Sequence, residues 1–259
     1  MSMQPPGRII AIASCKGGVG KTWLSITLAH ALAHALAQSP ARGAAAGRVL
    51  LVDSDFGLAN VDVQLGLDPA QDLGAVLSGR LALPAATLRH AAGFDLLAGS
   101  SGCDSLAGLG PAPLARLAGV LREAAALWEV VVLDLGAGLE PAVRQLSAAA
   151  DTLLVVATEE PTSLTDAYAV LKLHRRDRPG GDARVVVNQA TDRAGGERTW
   201  HRLDLACTRF LGAGVPLAGI IRRDSRVPDS IRRQTPLLTR HPGSAVATDV
   251  EALARGLLG

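Results

Sequence analysis

Two of the three lysines in this chain stand five residues apart in one glycine-rich run, Lys16-Gly17-Gly18-Val19-Gly20-Lys21-Thr22. Glycines carry no Cβ, so successive backbone N–H groups there can converge on an anion. An apolar run from Ile9 to Ala13 precedes the loop, and Trp23, Leu24, Ile26, Leu28 and Leu32 follow at helical spacing. Strand, loop and helix start in that order are the setting of a phosphate site. The positive end of the helix dipole and its unpaired donors add to the loop. In such a loop Lys21 reaches β- and γ-phosphates, and the Thr22 hydroxyl holds Mg²⁺. An ammonium is a compact point charge, which suits phosphate better than the planar fork of arginine. With only three lysines among 26 basic residues, the placement of two of them here is informative.

Carboxylates stand at the ends of two further apolar runs. Arg48 to Asp53 reads as a fully buried strand and closes in Asp53-Ser54-Asp55. Open α/β sheets put ligands just past the carboxyl ends of such strands. Glu129 to Asp134 is a second strand, followed by Leu135-Gly136-Ala137-Gly138. A carboxylate in the position of Asp134 holds Mg²⁺, usually through water. A third strand, Arg184 to Gln189, carries Asn188, whose amide donates and accepts at once and so suits an adenine edge. A plainer reading leaves Asp53 as a cap of the next turn and Asn188 as a turn residue.

The strict pattern G-x-x-x-x-G-K-[ST] fails at its first position, where Cys15 stands, and an extra lysine follows as Lys16. K-G-G-x-G-K-T resembles the deviant Walker A loop of the MinD/ParA ATPases. D-x-D-F-G-L-A-N-V-D-V-x-L-G-L and E-E-P-T-S-L-T-D-A-Y are similar to segments of the flagellar-number branch of that family, the FlhG/FleN type. The resemblance covers residues 8–258 and implies a P-loop ATPase with ATP and Mg²⁺ as cofactors. It places Lys16, Gly17, Gly18, Val19, Gly20, Lys21, Thr22 and Trp23 around the phosphates, with Lys16 crossing a dimer interface to the partner's nucleotide. It further implies that Asp55 orients the attacking water, that Asp53 and Asp134 join Thr22 near Mg²⁺, and that Glu160 touches the partner-bound nucleotide. Asn188 would read the base, under a loop containing Arg223 and Asp224. Leu135 replaces the usual threonine, and Arg222 the usual proline.

These residues need an α/β frame: a doubly wound, mostly parallel sheet flanked by helices on both faces, in one domain over residues 1–259. Helices are expected over Thr22–Gln38, Pro111–Leu127, Leu164–Arg175, Gly196–Leu211 and Ser244–Leu258, and short helices and turns over 61–92. Further strands are expected at Phe94–Ala98, Thr152–Ala157 and Val215–Ile221. Residues 1–7 are expected to be disordered, and the stretch from Ser39 to Gly47 to be a flexible connection. Residues that are 48% hydrophobic suffice for a packed core. Three scattered cysteines, no apolar leader and no long apolar span point to a cytoplasmic protein, with peripheral contact at the inner membrane left open.

Charge is uneven: Lys172 to Arg240 holds 15 basic against seven acidic residues. A basic half suits nucleic acid or an acidic protein surface, and solvated arginine is the plainer account. The terminal segment places Val246, Val250, Leu253 and Leu257 on one side, with Asp249, Glu251 and Arg255 elsewhere. It reads as a docking helix, too poorly basic for strong attraction to anionic lipid. The expected activity is slow ATP hydrolysis in an ATP-bound homodimer that acts on flagellar assembly or placement proteins. DNA binding, as in ParA-type partition, is the alternative reading and is not expected.

Overall fold

The computed structural model describes residues 7–38, 48–55, 57–99 and 111–259, with backbone only over 111–114. Eight strands form one sheet: β1 (Arg8–Ala13), β2 (Val49–Ser54), β3 (Leu88–Arg89), β4 (Asp95–Leu97), β5 (Val130–Leu135), β6 (Thr152–Ala157), β7 (Asp182–Ala190) and β8 (Leu217–Arg222). Their spatial order is β3-β4-β2-β5-β1-β6-β7-β8. Every neighbouring pair is parallel except the short edge pair β3–β4. A parallel sheet covered on both faces needs strands that are apolar along most of their length, as β1, β2, β5 and β6 are.

Eleven helices are described: α1 (Lys21–Ala37), α2 (Val61–Leu65), α3 (Leu73–Leu77), α4 (Leu83–Ala86), α5 (Pro111–Leu127), α6 (Pro141–Ala149), α7 (Pro161–Asp177), α8 (Arg193–Leu211), α9 (Arg226–Arg232), α10 (Leu237–Arg240) and α11 (Ala245–Leu258). Strand alternation sends Ile9, Ala11 and Ala13 to one face, under α5 to α8. Ile10 and Ile12 go to the other, under α1, α10 and α11. The sheet is doubly wound, as its sequence pattern requires. The chain leaves β1 toward β2 on one side and returns to β6 on the other, so the end of β1 is the switch point where such sheets bind ligands.

Several boundaries differ from the expected ones for local reasons. α8 begins at Arg193 rather than Gly196, because the Asp192 carboxylate accepts the Gly195 N–H at 2.6 Å and caps the helix. α7 starts at Pro161, where a missing N–H costs nothing. The sequence pattern showed no element over 141–149, 226–232 or 237–240, where short helices stand. Leu127, the last residue of α5, is 42% exposed. Asp249 was placed away from the apolar side of α11, and it is buried. Its partner, Arg222, explains why. The expectations for residues 1–6 and 39–47 lie outside the described residues.

Candidate functional site

Ser14 ends the β1 side of the loop, donating its hydroxyl to the Lys16 carbonyl at 2.7 Å. Leu24 is the first residue whose N–H joins the helix ladder, bonding the Gly20 carbonyl at 3.0 Å. The N–H groups of Lys21, Thr22 and Trp23 therefore have no acceptor within α1, and no side chain caps the helix. That is a cradle for an anion, held open by backbone. The Trp23 indole is turned into the core at 6% exposure, so what Trp23 can offer a phosphate is its N–H. Lys21 is nearly buried, while Lys16 is half exposed.

Two carboxamides brace the loop from β7. Asn188 donates to the Val19 carbonyl at 2.7 Å, and Gln189 to the Gly18 carbonyl at 3.2 Å. The approach is close. A Cβ on Gly20, whose φ is +88°, would lie 2.5 Å from the Asn188 amide nitrogen. Only glycine fits there, for conformation and for space. Gln189 was not singled out by its sequence; its φ of 56°, rare for a side-chain-bearing residue, aims it at the loop.

The acids converge because β2 and β5 pair in register, Asp53 opposite Asp134. Asp134 accepts the Ser25 hydroxyl at 2.9 Å, and Thr22 also bonds it. Burial pushes its carboxyl up to about 6, against the pull of Thr22, Ser25 and Lys21. Asp53 is pushed up to about 7, first by burial and then by Asp134. Both Asp53 oxygens accept backbone N–H groups: Asp55 at 3.1 Å on one, Asn60 at 3.0 Å and Val61 at 3.1 Å on the other. Asp53 thus shapes the loop that carries Asp55. Asp55 in turn abuts Gly136, where a Cβ would lie 3.3 Å from its Oδ1.

Hard oxygen donors at Thr22 and Asp134, with Asp53 behind them, fit Mg²⁺. Two buried acids held above their usual range are also what a divalent cation would relieve. Among the described residues no group of three or more His, Cys, Asp or Glu could hold a metal by itself. This accords with an ion that takes one or two carboxylates and completes its shell with phosphate and water.

Lys16 and Glu160, from opposite sides of the loop mouth, meet at 3.1 Å with side chains 50% and 65% exposed. So exposed a pair holds by well under about 1 kcal/mol. Arg223 donates its N–H to the Ala190 carbonyl at 2.8 Å, and Asp224 accepts the Arg226 N–H at 2.8 Å. The loop after β8 thereby lies beside the end of β7 that braces the P-loop. Arg222, in place of the usual proline, binds Asp249 of α11 through Nε and Nη2, both at 2.8 Å, and through its N–H at 3.1 Å.

Residues 10–237 match the CobQ/CobB/MinD/ParA nucleotide binding domain. The chain belongs to this family. It is 34% identical to the antiactivator FleN of Pseudomonas aeruginosa over 98% of its own length and 88% of FleN. It is 28% identical to the flagellum site-determining protein YlxH of Helicobacter pylori, over 97% of this chain and 81% of that one. The fold is shared with the septum site-determining protein MinD of Pyrococcus horikoshii, solved complexed with Mg-ADP. That match has a TM-score of 0.74 and 22% identity, and covers 97% of this chain and 96% of the other.

Proposed function

We propose that the chain binds ATP with Mg²⁺, pairs as a homodimer in that state, and hydrolyses ATP slowly to return to monomers. The cycle would serve as a switch on flagellar number or placement, through assembly proteins that recognise one nucleotide state. FleN and YlxH, similar along nearly the whole chain, support the flagellar part. The dimer part is carried by one observation. Lys21 is buried at the start of α1, where it would serve the loop's own anion, while Lys16 stands half exposed at the loop mouth. In a two-fold assembly each Lys16 would neutralise charge on the other copy's nucleotide. Glu160 would release it for that purpose at little cost.

Lys21 and the free N–H groups of residues 21–23 would position the phosphates, in a loop held in shape by the amides that bond the Gly18 and Val19 carbonyls. Thr22 and Asp134, with Asp53 behind, would hold Mg²⁺, which supplies charge neutralisation between phosphates. Asp55, lodged against Gly136, would orient water. Asn188 and the Arg223–Asp224 loop would flank the base. Positioning and charge stabilisation are the chemistry, with no covalent intermediate.

No described helix is long and apolar enough to cross a membrane. Val246, Val250, Leu253 and Leu257 of α11 are packed into the core. That packing supports α11 as a docking helix of the fold rather than a lipid-facing one. Lys16→Ala should bind ATP yet stay monomeric and inactive, whereas Asp55→Ala should dimerise and remain so because hydrolysis stalls. Light scattering with ATP and with ADP reads both. Normal dimerisation and turnover by Lys16→Ala would refute the crossing-lysine mechanism.

A further inference from the structure

The basic half of the chain holds cations in different settings. Most of its arginines are paired within the fold, several of them at its surface, and Arg223 and Arg232 are exposed elsewhere. Arg175 binds the carbonyls of Ala213 and Gly214 behind α8, and Arg178 that of Ala148 at the end of α6. Arg184 pairs with Asp182, Arg222 with Asp249 and Arg226 with Asp224, while Arg233 and Arg240 share Asp229. Lys172, Arg198 and Arg202 are exposed and have no carboxylate partner among the described residues. Arg209 only lies over the Phe210 ring, 5.3 Å from its centroid.

Arg202 lines one feature, and the other three stand on the same two helices. A groove of about 360 Å³ runs between α7 and α8, lined by Leu164, Tyr168, Leu203, Ala206 and Phe210, with Arg202 on its wall. Arg198, Arg202, Leu205 and Arg209 recur at i, i+4, i+7 and i+11, one side of a helix. Lys172 stands one turn beyond Tyr168 on α7. Phe210 is 66% exposed and Leu205 60%. The acids of α8 lie on its other flank, and Asp204 is held there by the Val215 N–H at 2.7 Å.

We propose that this groove is a docking site for a protein partner, a helical segment with an aromatic or leucine anchor flanked by carboxylates. An apolar slot takes an anchor, and unpaired cations on its rim fix register and speed encounter with an acidic segment. A second copy fits poorly, because a two-fold contact would set this basic face against itself. The site stands whether or not the chain hydrolyses ATP.

The test uses the full chain, with and without Mg-ATP. A displayed library of random peptides of roughly 16 residues, enough for about four helical turns, is selected on the parent. Counter-selection uses Phe210→Ser and Arg202→Glu, both at exposed positions, after their melting temperatures are shown to match the parent's. Enriched peptides should share one large apolar anchor with Asp or Glu within a helical turn. A labelled representative should bind each variant at least about tenfold more weakly, and weaken as salt rises from roughly 0.05 to 0.3 M. Enrichment indifferent to both substitutions, or of peptides without acids, would overturn the proposal, as would no enrichment at all. So would a DNA duplex or an anionic phosphatidylglycerol vesicle bound at ~0.15 M salt and lost in these same variants. A parent dimer dispersed by Phe210→Ser would assign the groove to a second copy instead.

Discussion

Asp249→Ala should lower the melting temperature of the nucleotide-free protein by about 5–10 °C. The carboxylate is 1% exposed and accepts three bonds from Arg222, one of them from its backbone N–H. Breaking a fully buried ion pair costs about 3–5 kcal/mol. The Arg222 side chain is 35% exposed and regains water when released, so the cost falls below that range, at about 2–3 kcal/mol. A chain of this size shifts by about 2–4 °C per kcal/mol. The same lock holds the start of the loop in which Arg223 bonds Ala190, next to the carboxamides that brace Gly18 and Val19. ADP affinity should therefore fall by more than affinity for inorganic tripolyphosphate, which has no base to hold. Differential scanning calorimetry and titration calorimetry read the two effects. Asp249→Ala with Arg222→Ala should be less destabilising than the sum of the single changes, because the pair is coupled. A melting temperature within about 1 °C of the parent's, or strict additivity, would refute the lock.

Asp134→Asn should stabilise the metal-free protein at pH 8. The folded carboxyl, at about 6, lies above its ordinary 3.8, so its contribution is full below the ordinary value and lost as pH rises through about 6. The charged form then costs up to about 3 kcal/mol. The advantage of Asn in EDTA melts should vanish near pH 4, and a less stable Asn variant at pH 8 would contradict the burial argument. Asn188→Ala should weaken ADP and tripolyphosphate alike by about tenfold, since it frees the loop carbonyl of Val19; a loss confined to ADP would make Asn188 a reader of the base alone. Deleting residues 244–259 should unfold the chain rather than merely release it from vesicles. It removes four core side chains, each contributing about 1.5–3 kcal/mol, and a deleted chain with cooperative melting at the parent temperature would return α11 to the surface.

Local chemistry was legible from the chain alone. The P-loop, the acids at the ends of β2 and β5, and the apolar side of α11 are each written within a dozen residues, where backbone geometry and side-chain period act. Doubly wound topology follows from them, because all-apolar strands alternating with helices can bury both faces in few ways. Residues far apart in sequence are another matter. Nothing near Asp249 announces that it would be buried, since its partner lies on the edge strand β8. Asn188 and Gln189 reach the loop only because β7 stands two strands from β1 and ends at the same edge. Likewise the count of arginines could not separate those that close carbonyl ends and carboxylates from those around the groove. Pairing of charges depends on distances of a few ångströms across elements, and those distances exist only once the helices are packed on the sheet.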